Sequence, residues 1–116
     1  MKPENVNDTN LKAGLEAHPL TLVDFGAPWC APCRTLLPML DELGEAYGEN
    51  LSILKLNCDD SPESAAAYGV MSMPTVILFK NGEPMEKLVG LRSPEGYRNM
   101  IDKYLAPAAG SGSASE

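Results

Sequence analysis

The chain has 116 residues, of which 44% are apolar and 22% charged, and it carries a formal net charge of −7. This length suits one domain with a core of its own, in the composition of an ordinary globular protein. The acidic balance argues against nucleic acid or an anionic membrane as a partner, and no apolar run is long enough to span a bilayer.

The opening stretch, MKPENVNDTN, is polar and lacks an apolar h-region, so no secretory signal is expected. Asp8 and Thr9 are both residue types that cap helices, and Leu11 and Leu15 lie four apart, which predicts a helix over Thr9–Ala17. A short strand near Val6 is expected before it. LTLVDFG predicts a strand over Leu20–Gly26, with an acid, Asp24, inside an otherwise apolar run. After WCAPC, residues Leu36, Leu37, Leu40, Leu43 and Tyr47 keep helical spacing, with Pro38 inside the pattern as an expected kink. LSILKLN predicts a strand over Leu51–Asn57. Ser61 as cap, Pro62 at the first helical position and Gly69 as a stop predict a short helix. The segment from Thr75 to Gly90 reads as a hairpin: a strand Thr75–Lys80, an Asn81-Gly82 turn and a strand Met85–Gly90. Ser93 and Pro94 open a last helix that carries Tyr97, Ile101, Tyr104 and Leu105. The final residues, APAAGSGSASE, are small and polar, so the folded domain is expected over 3–105 and a Gly/Ser/Ala tail over 106–116.

Strands separated by helices are expected to run parallel through crossovers, and the hairpin to close antiparallel. The fold class that follows is α/β, a central mixed sheet of four or five strands with helices on both faces.

The three cysteines are an odd count, which disfavours a disulfide scaffold. Cys30 and Cys33 lie three apart at the start of a helix and so share a face, within the window of about 4.4–6.8 Å between Cα atoms that a disulfide tolerates. Cys30 at the helix N-terminus meets unpaired N–H groups and the positive end of the dipole, which favour a thiolate. Cys33, one turn in, is expected to be shielded. Cys30 is therefore the attacking thiol and Cys33 the resolving one. A zinc site wants four ligands, and only Cys58 and His18 remain to complete one, so no metal is expected. A staple closing so short a loop removes little chain entropy.

VDFGAPWCAPC, KLNCDD, MSMPTVILFKNGE and LVGLRS stand in an order and spacing that resemble the thioredoxin family, over about Leu11–Leu105. The resemblance implies the thioredoxin fold and a protein-disulfide reductase working through a reversible Cys30–Cys33 dithiol. It implies that Asp24 is the buried acid handling the resolving thiol's proton, that Lys55 is the lysine near it, and that Pro74 is the cis-proline facing the disulfide. Trp29, Ala31, Pro32, Met73 and Gly90 are the residues it places against substrate. It implies no bound cofactor: electrons come from NADPH through a flavin-dependent thioredoxin reductase, and the other partners are disulfide-containing proteins. A cytoplasmic monomer is expected. The alternatives are an oxidase or isomerase of the same fold, or a non-catalytic binding module.

Two residues depart from the family's usual pattern. Ala31 stands where glycine is usual, and Gly26 where an aromatic residue is often found, which should loosen the wall behind Trp29. Cys58 is expected near the redox pair but outside it, with Asp59 and Asp60 keeping its thiol protonated. Met71 and Met73, in the loop beside Pro74, are soft contacts suited to varied partners.

Overall fold

A computed structural model describes residues 1–105; the expected tail at 106–116 lies outside them. Five strands and four α-helices follow one another, alternating up to a closing hairpin: β1 (Glu4–Val6), α1 (Leu11–Ala17), β2 (Leu20–Gly26), α2 (Ala31–Tyr47), β3 (Ser52–Asn57), α3 (Pro62–Ala67), β4 (Thr75–Lys80), β5 (Glu83–Val89) and α4 (Pro94–Tyr104). The strands form one sheet in the order β1-β3-β2-β4-β5. β1, β3 and β2 are parallel, whereas β4 pairs antiparallel with β2 and with β5. The mixed sheet expected from the sequence is present with its full five strands.

One expectation about direction fails. β4 follows a helix, yet it runs against β3. The pairing shows why: β3 ends with Asn57 opposite Gly26, and β4 begins with Thr75 opposite the neighbouring Phe25. A helix of six residues rises only roughly 9 Å, whereas a six-residue strand spans roughly 20 Å. The connection therefore stays at the end of the sheet where β3 left it.

β2 is buried along its whole length because helices cover both faces of the sheet. On one face Leu20, Leu22 and Leu78 pack with Leu36 and Leu40 of α2 and with Tyr97 and Ile101 of α4. On the other, Val23, Phe25, Leu54 and Leu56 pack with Leu11 and Leu15 of α1 and with Tyr68. The Asn81-Gly82 turn has φ of 53° and 83°, both left-handed, as a two-residue hairpin of this kind requires. The turn is tighter than expected, and β5 starts at Glu83 rather than Met85.

The caps differ from the sequence expectation. α1 starts at Leu11, with Asn10 as the cap residue and no side-chain cap bond. Asn7 Oδ1 instead accepts the N–H groups of Thr9 and Asn10, folding the chain into a turn before the helix. Asp8 reaches across to α3, accepting Ser64 N–H at 2.7 Å and Glu63 N–H at 3.2 Å. Ser61, expected to cap α3, makes no such bond. Ser93 does cap α4, accepting Gly96 N–H at 3.1 Å. α2 runs on through Pro38, whose missing N–H leaves the Arg34 carbonyl without its usual helical donor. β3 starts one residue later than expected, after a 3₁₀ turn over Gly48–Asn50.

Among the described residues, no helix is long and apolar enough to cross a membrane, and no group of three or more His, Cys, Asp or Glu gathers as a metal set would.

Candidate functional site

β2 leads out of the sheet at Gly26, and four residues later Cys30 sits as the cap of α2. Cys30 N–H donates to Ala27 O at 3.2 Å, which folds the chain into the helix. Pro32, in the first turn, has its φ preset for the helix and no N–H to leave unsatisfied. Cys30 Sγ then stands where a cap side chain stands and accepts Cys33 N–H at 3.3 Å. Cys30 and Cys33 are bonded as a disulfide, their Cα atoms 5.2 Å apart. Cys33 is shielded as expected, at 5% exposed, but Cys30 is buried just as deeply, at 6%. What distinguishes them is direction. Cys30 Sγ lies 3.7 Å from Met73 O, whereas Cys33 borders a cleft that it shares with Asp24, Gly26 and Lys55.

The Met73–Pro74 peptide bond is cis. Thr75 Oγ1 donates to Ser72 O at 2.6 Å and Gly90 N–H donates to Pro74 O at 2.8 Å, bracing this loop from both sides. Gly90 has φ +87°, left-handed backbone that disfavours any side chain. A Cβ there would meet nothing within 4 Å, so backbone conformation and not crowding calls for glycine. Behind it, the buried Tyr97 hydroxyl accepts Arg92 N–H at 3.0 Å. Trp29 is 64% exposed, and its indole N–H donates to Asp59 Oδ2 at 2.7 Å, which fixes the ring. Met71 is 94% exposed near the same loop.

Asp24 is 4% exposed on β2, with Lys55 as its register partner on β3. Its Oδ1 has no hydrogen-bond partner among the described residues. Burial pushes the carboxyl up to about 7, and the nearby Lys55 ammonium offsets only part of that rise. Cys58 is half-buried, and its backbone N–H donates to Gly26 O at 2.9 Å. Its thiol is pushed up by burial first, then by the negative charges of Asp24 and Asp59. Asp59 thus acts as the sequence suggested, Asp60 does not contribute, and the larger effect is desolvation.

A family model described as Thioredoxin matches residues 2–103. The chain belongs to the thioredoxin family. It is 44% identical over 100 residues to a thioredoxin of Staphylococcus epidermidis, covering 86% of this chain and 95% of that one. It is 41% identical over 105 residues to the M-type chloroplastic thioredoxin of Spinacia oleracea, covering 90% of this chain and 58% of the relative. A mutant thioredoxin of Halobacterium salinarum superposes with a TM-score of 0.85 at 33% identity, covering 90% of this chain and 92% of that one. With family membership and a cysteine pair at disulfide distance, the chain is a thiol–disulfide oxidoreductase of the protein-disulfide reductase type.

Sequence reasoning missed several groups at the thioredoxin site. Asp59 was read only for its charge, and its bond to Trp29 spans 30 residues with no local signal. Tyr97 was placed only on the last helix, and its hydroxyl bond to Arg92, in the turn after Gly90, needs the fold to be seen. Gly26 was expected to affect the wall behind Trp29. A Cβ at 26 would instead meet Cys33 Sγ at 3.2 Å and Asp24 Oδ1 at 3.4 Å.

Proposed function

We propose that Cys30 is the nucleophile, Cys33 the resolving thiol and Asp24 the proton acceptor, with Lys55 moderating that acid. The Cys30 thiolate attacks one sulfur of a partner's disulfide. The partner's other sulfur leaves as a thiolate, and a mixed disulfide with Cys30 forms. Cys33 gives its proton to Asp24 and attacks Cys30 Sγ. The partner's second thiolate is released and the Cys30–Cys33 bond closes. The oxidised pair holds the two electrons' worth of oxidation taken from the partner.

The observation that carries this reading is the placement of the two sulfurs. Cys30 Sγ lies against Met73 O at 3.7 Å, in the braced loop of Pro74, while Cys33 shares a cleft with a buried carboxyl. A partner's extended segment lies along Met73 and Pro74, as an added strand does. Trp29, Ala31, Pro32 and Gly90 form the rest of its bed. The chain has no glycine-rich dinucleotide motif, so we assign its reduction to a flavin-dependent thioredoxin reductase using NADPH, and its setting to the cytoplasm as a monomer.

The test is insulin reduction followed by turbidity, first with dithiothreitol and then with NADPH and a thioredoxin reductase. Cys30→Ser should abolish turnover, and Cys33→Ser should accumulate a mixed disulfide through Cys30. Failure to reduce insulin with either donor would leave only the binding-module reading. A mixed disulfide trapped on Cys33 in the Cys30→Ser variant, with none on Cys30 in Cys33→Ser, would reverse the roles.

A further inference from the structure

Gly26 has no conformational reason to be glycine. It closes β2, and its φ is not among the positive values found at Gly48, Gly69, Gly82 and Gly90. A glycine inside a strand weakens it and often marks a place where something else comes close. Here the neighbours are on one side. The direction a side chain would take runs between Cys33 Sγ and Asp24 Oδ1, which a Cβ would already touch at 3.2 and 3.4 Å.

That gap opens into a cleft of about 240 Å³. Ala27, Pro28, Leu37 and Leu56 give it apolar walls, and Arg34 and Lys55 supply positive charge. Arg34 is held there by its Nη1 donating to Pro28 O at 2.8 Å. Neither Cys30, Trp29, Met73, Pro74 nor Gly90 borders it. The two sulfurs of one disulfide thus face two different openings: Cys30 the groove of Met73, Cys33 the cleft of Gly26.

We propose that Gly26 keeps open a second entrance to the redox centre, through which water, protons and small reagents reach Cys33 and Asp24 while a protein partner fills the groove. The idea rests on Cys33 being the resolving thiol. That thiol must lose a proton while the partner still covers Cys30, and Asp24 must later return it to solvent. The charged and titratable groups that bear on Asp24 are Lys55 from β3, Cys58 after it, and Tyr97 from α4. Cys33 borders the cleft itself. The cleft supplies the path the proton needs without passing the partner.

A reagent reacting with Cys33 must bring its carbon to about 3–3.5 Å from the sulfur, and a methyl group at 26 stands inside that shell. The experiment uses reduced Cys30→Ser protein with iodoacetamide, following Cys33 alkylation by peptide mapping so that Cys58 is counted separately. Gly26→Ala should slow Cys33 alkylation by about tenfold or more. Leu37→Phe narrows the cleft from the helix side without touching β2, and should slow it in the same direction. A bulkier maleimide should lose more in both variants than iodoacetamide does. Equal rates in all backgrounds, or no measurable Cys33 alkylation with Gly26 present, would overturn the proposal. So would a loss in Gly26→Ala with Leu37→Phe unchanged, because the methyl would then be moving the sulfur and not blocking a path. Trapping a mixed disulfide on Cys30 in the Cys33→Ser variant tests the resolving-thiol reading separately. If Gly26→Ala does not fold, Leu37→Phe decides alone.

Discussion

Asp24 and Lys55 are register partners on neighbouring parallel strands, yet the carboxyl titrates near 7. Desolvation outweighs the attraction of a lysine one strand away, because Asp24 is enclosed by the sheet interior while Lys55 keeps part of its surface in solvent.

The first prediction concerns stability. The folded carboxyl titrates near 7 and its ordinary value is 3.8. The folded state therefore holds a proton that the unfolded chain releases between these values. Stability is full below the unfolded value and falls as pH rises toward about 7. The gap corresponds to roughly 4 kcal/mol. Asp24→Asn removes the charge, so it should stabilise the protein by a few kcal/mol at pH 8 and change little at pH 4. Urea midpoints at both pH values check this. A variant less stable at both would contradict it. The same variant should release mixed disulfides more slowly.

Cys58 should be a bystander. Burial and the charges of Asp24 and Asp59 hold its thiol protonated, and a thiol reacts through its thiolate. Iodoacetamide at pH 7 should modify Cys30 well before Cys58. Cys58→Ser should leave insulin reduction nearly unchanged. A large loss of turnover would give Cys58 a part in the cycle.

Asp8 should matter to α3 although the two are 55 residues apart. Its carboxylate accepts the N–H groups of Glu63 and Ser64 at the start of that helix; the Ser64 hydroxyl first, and these two N–H groups after it, hold its carboxyl below the ordinary value. Asp8→Ala should reduce the urea midpoint at pH 7. A carboxyl with a lowered folded value contributes stability above its unfolded value and loses it as pH falls through the folded one. The variant and the parent should therefore converge in strong acid. Equal midpoints at pH 7 would show that α3 does not depend on this cap.

Gly90→Ala isolates backbone strain. With φ +87° and no neighbour for a Cβ, the substitution adds no clash. The left-handed conformation alone should cost about 1–2 kcal/mol. If the turn relaxes, the Gly90–Pro74 bond loosens, and KM for a protein disulfide should rise more than KM for a small aromatic disulfide. An unchanged midpoint would mean that the turn tolerates a side chain.

Where sequence and structure agree, a local rule was enough. Asn81-Gly82 marks the hairpin because only a few residues accept two left-handed positions in a row. The largely apolar run of β2 marks a strand covered on both faces, and the acid that interrupts it announces itself. The expectations that failed depended on contacts between distant segments. Asp8 looked like the cap of the helix next to it, and its side chain found α3 instead. The direction of β4 was misjudged because a crossover was assumed where a short helix could only turn the chain around. Gly26 was visible as an unusual residue, but what its missing side chain leaves open depends on where α2 places Cys33.

The two rims of the sheet are poor templates for strand addition. β1 is only three residues long. β5 is longer, but Pro84 has no N–H to offer, Glu83, Glu86 and Lys87 put charge along it, and the ladder is irregular beside Leu78 and Phe79. Features of this kind blunt edge-to-edge aggregation. The protein should therefore stay dispersed at concentrations where a flat, uncharged edge would join copies into ribbons, leaving extended chains to find the short backbone stretch at Met73 and Pro74.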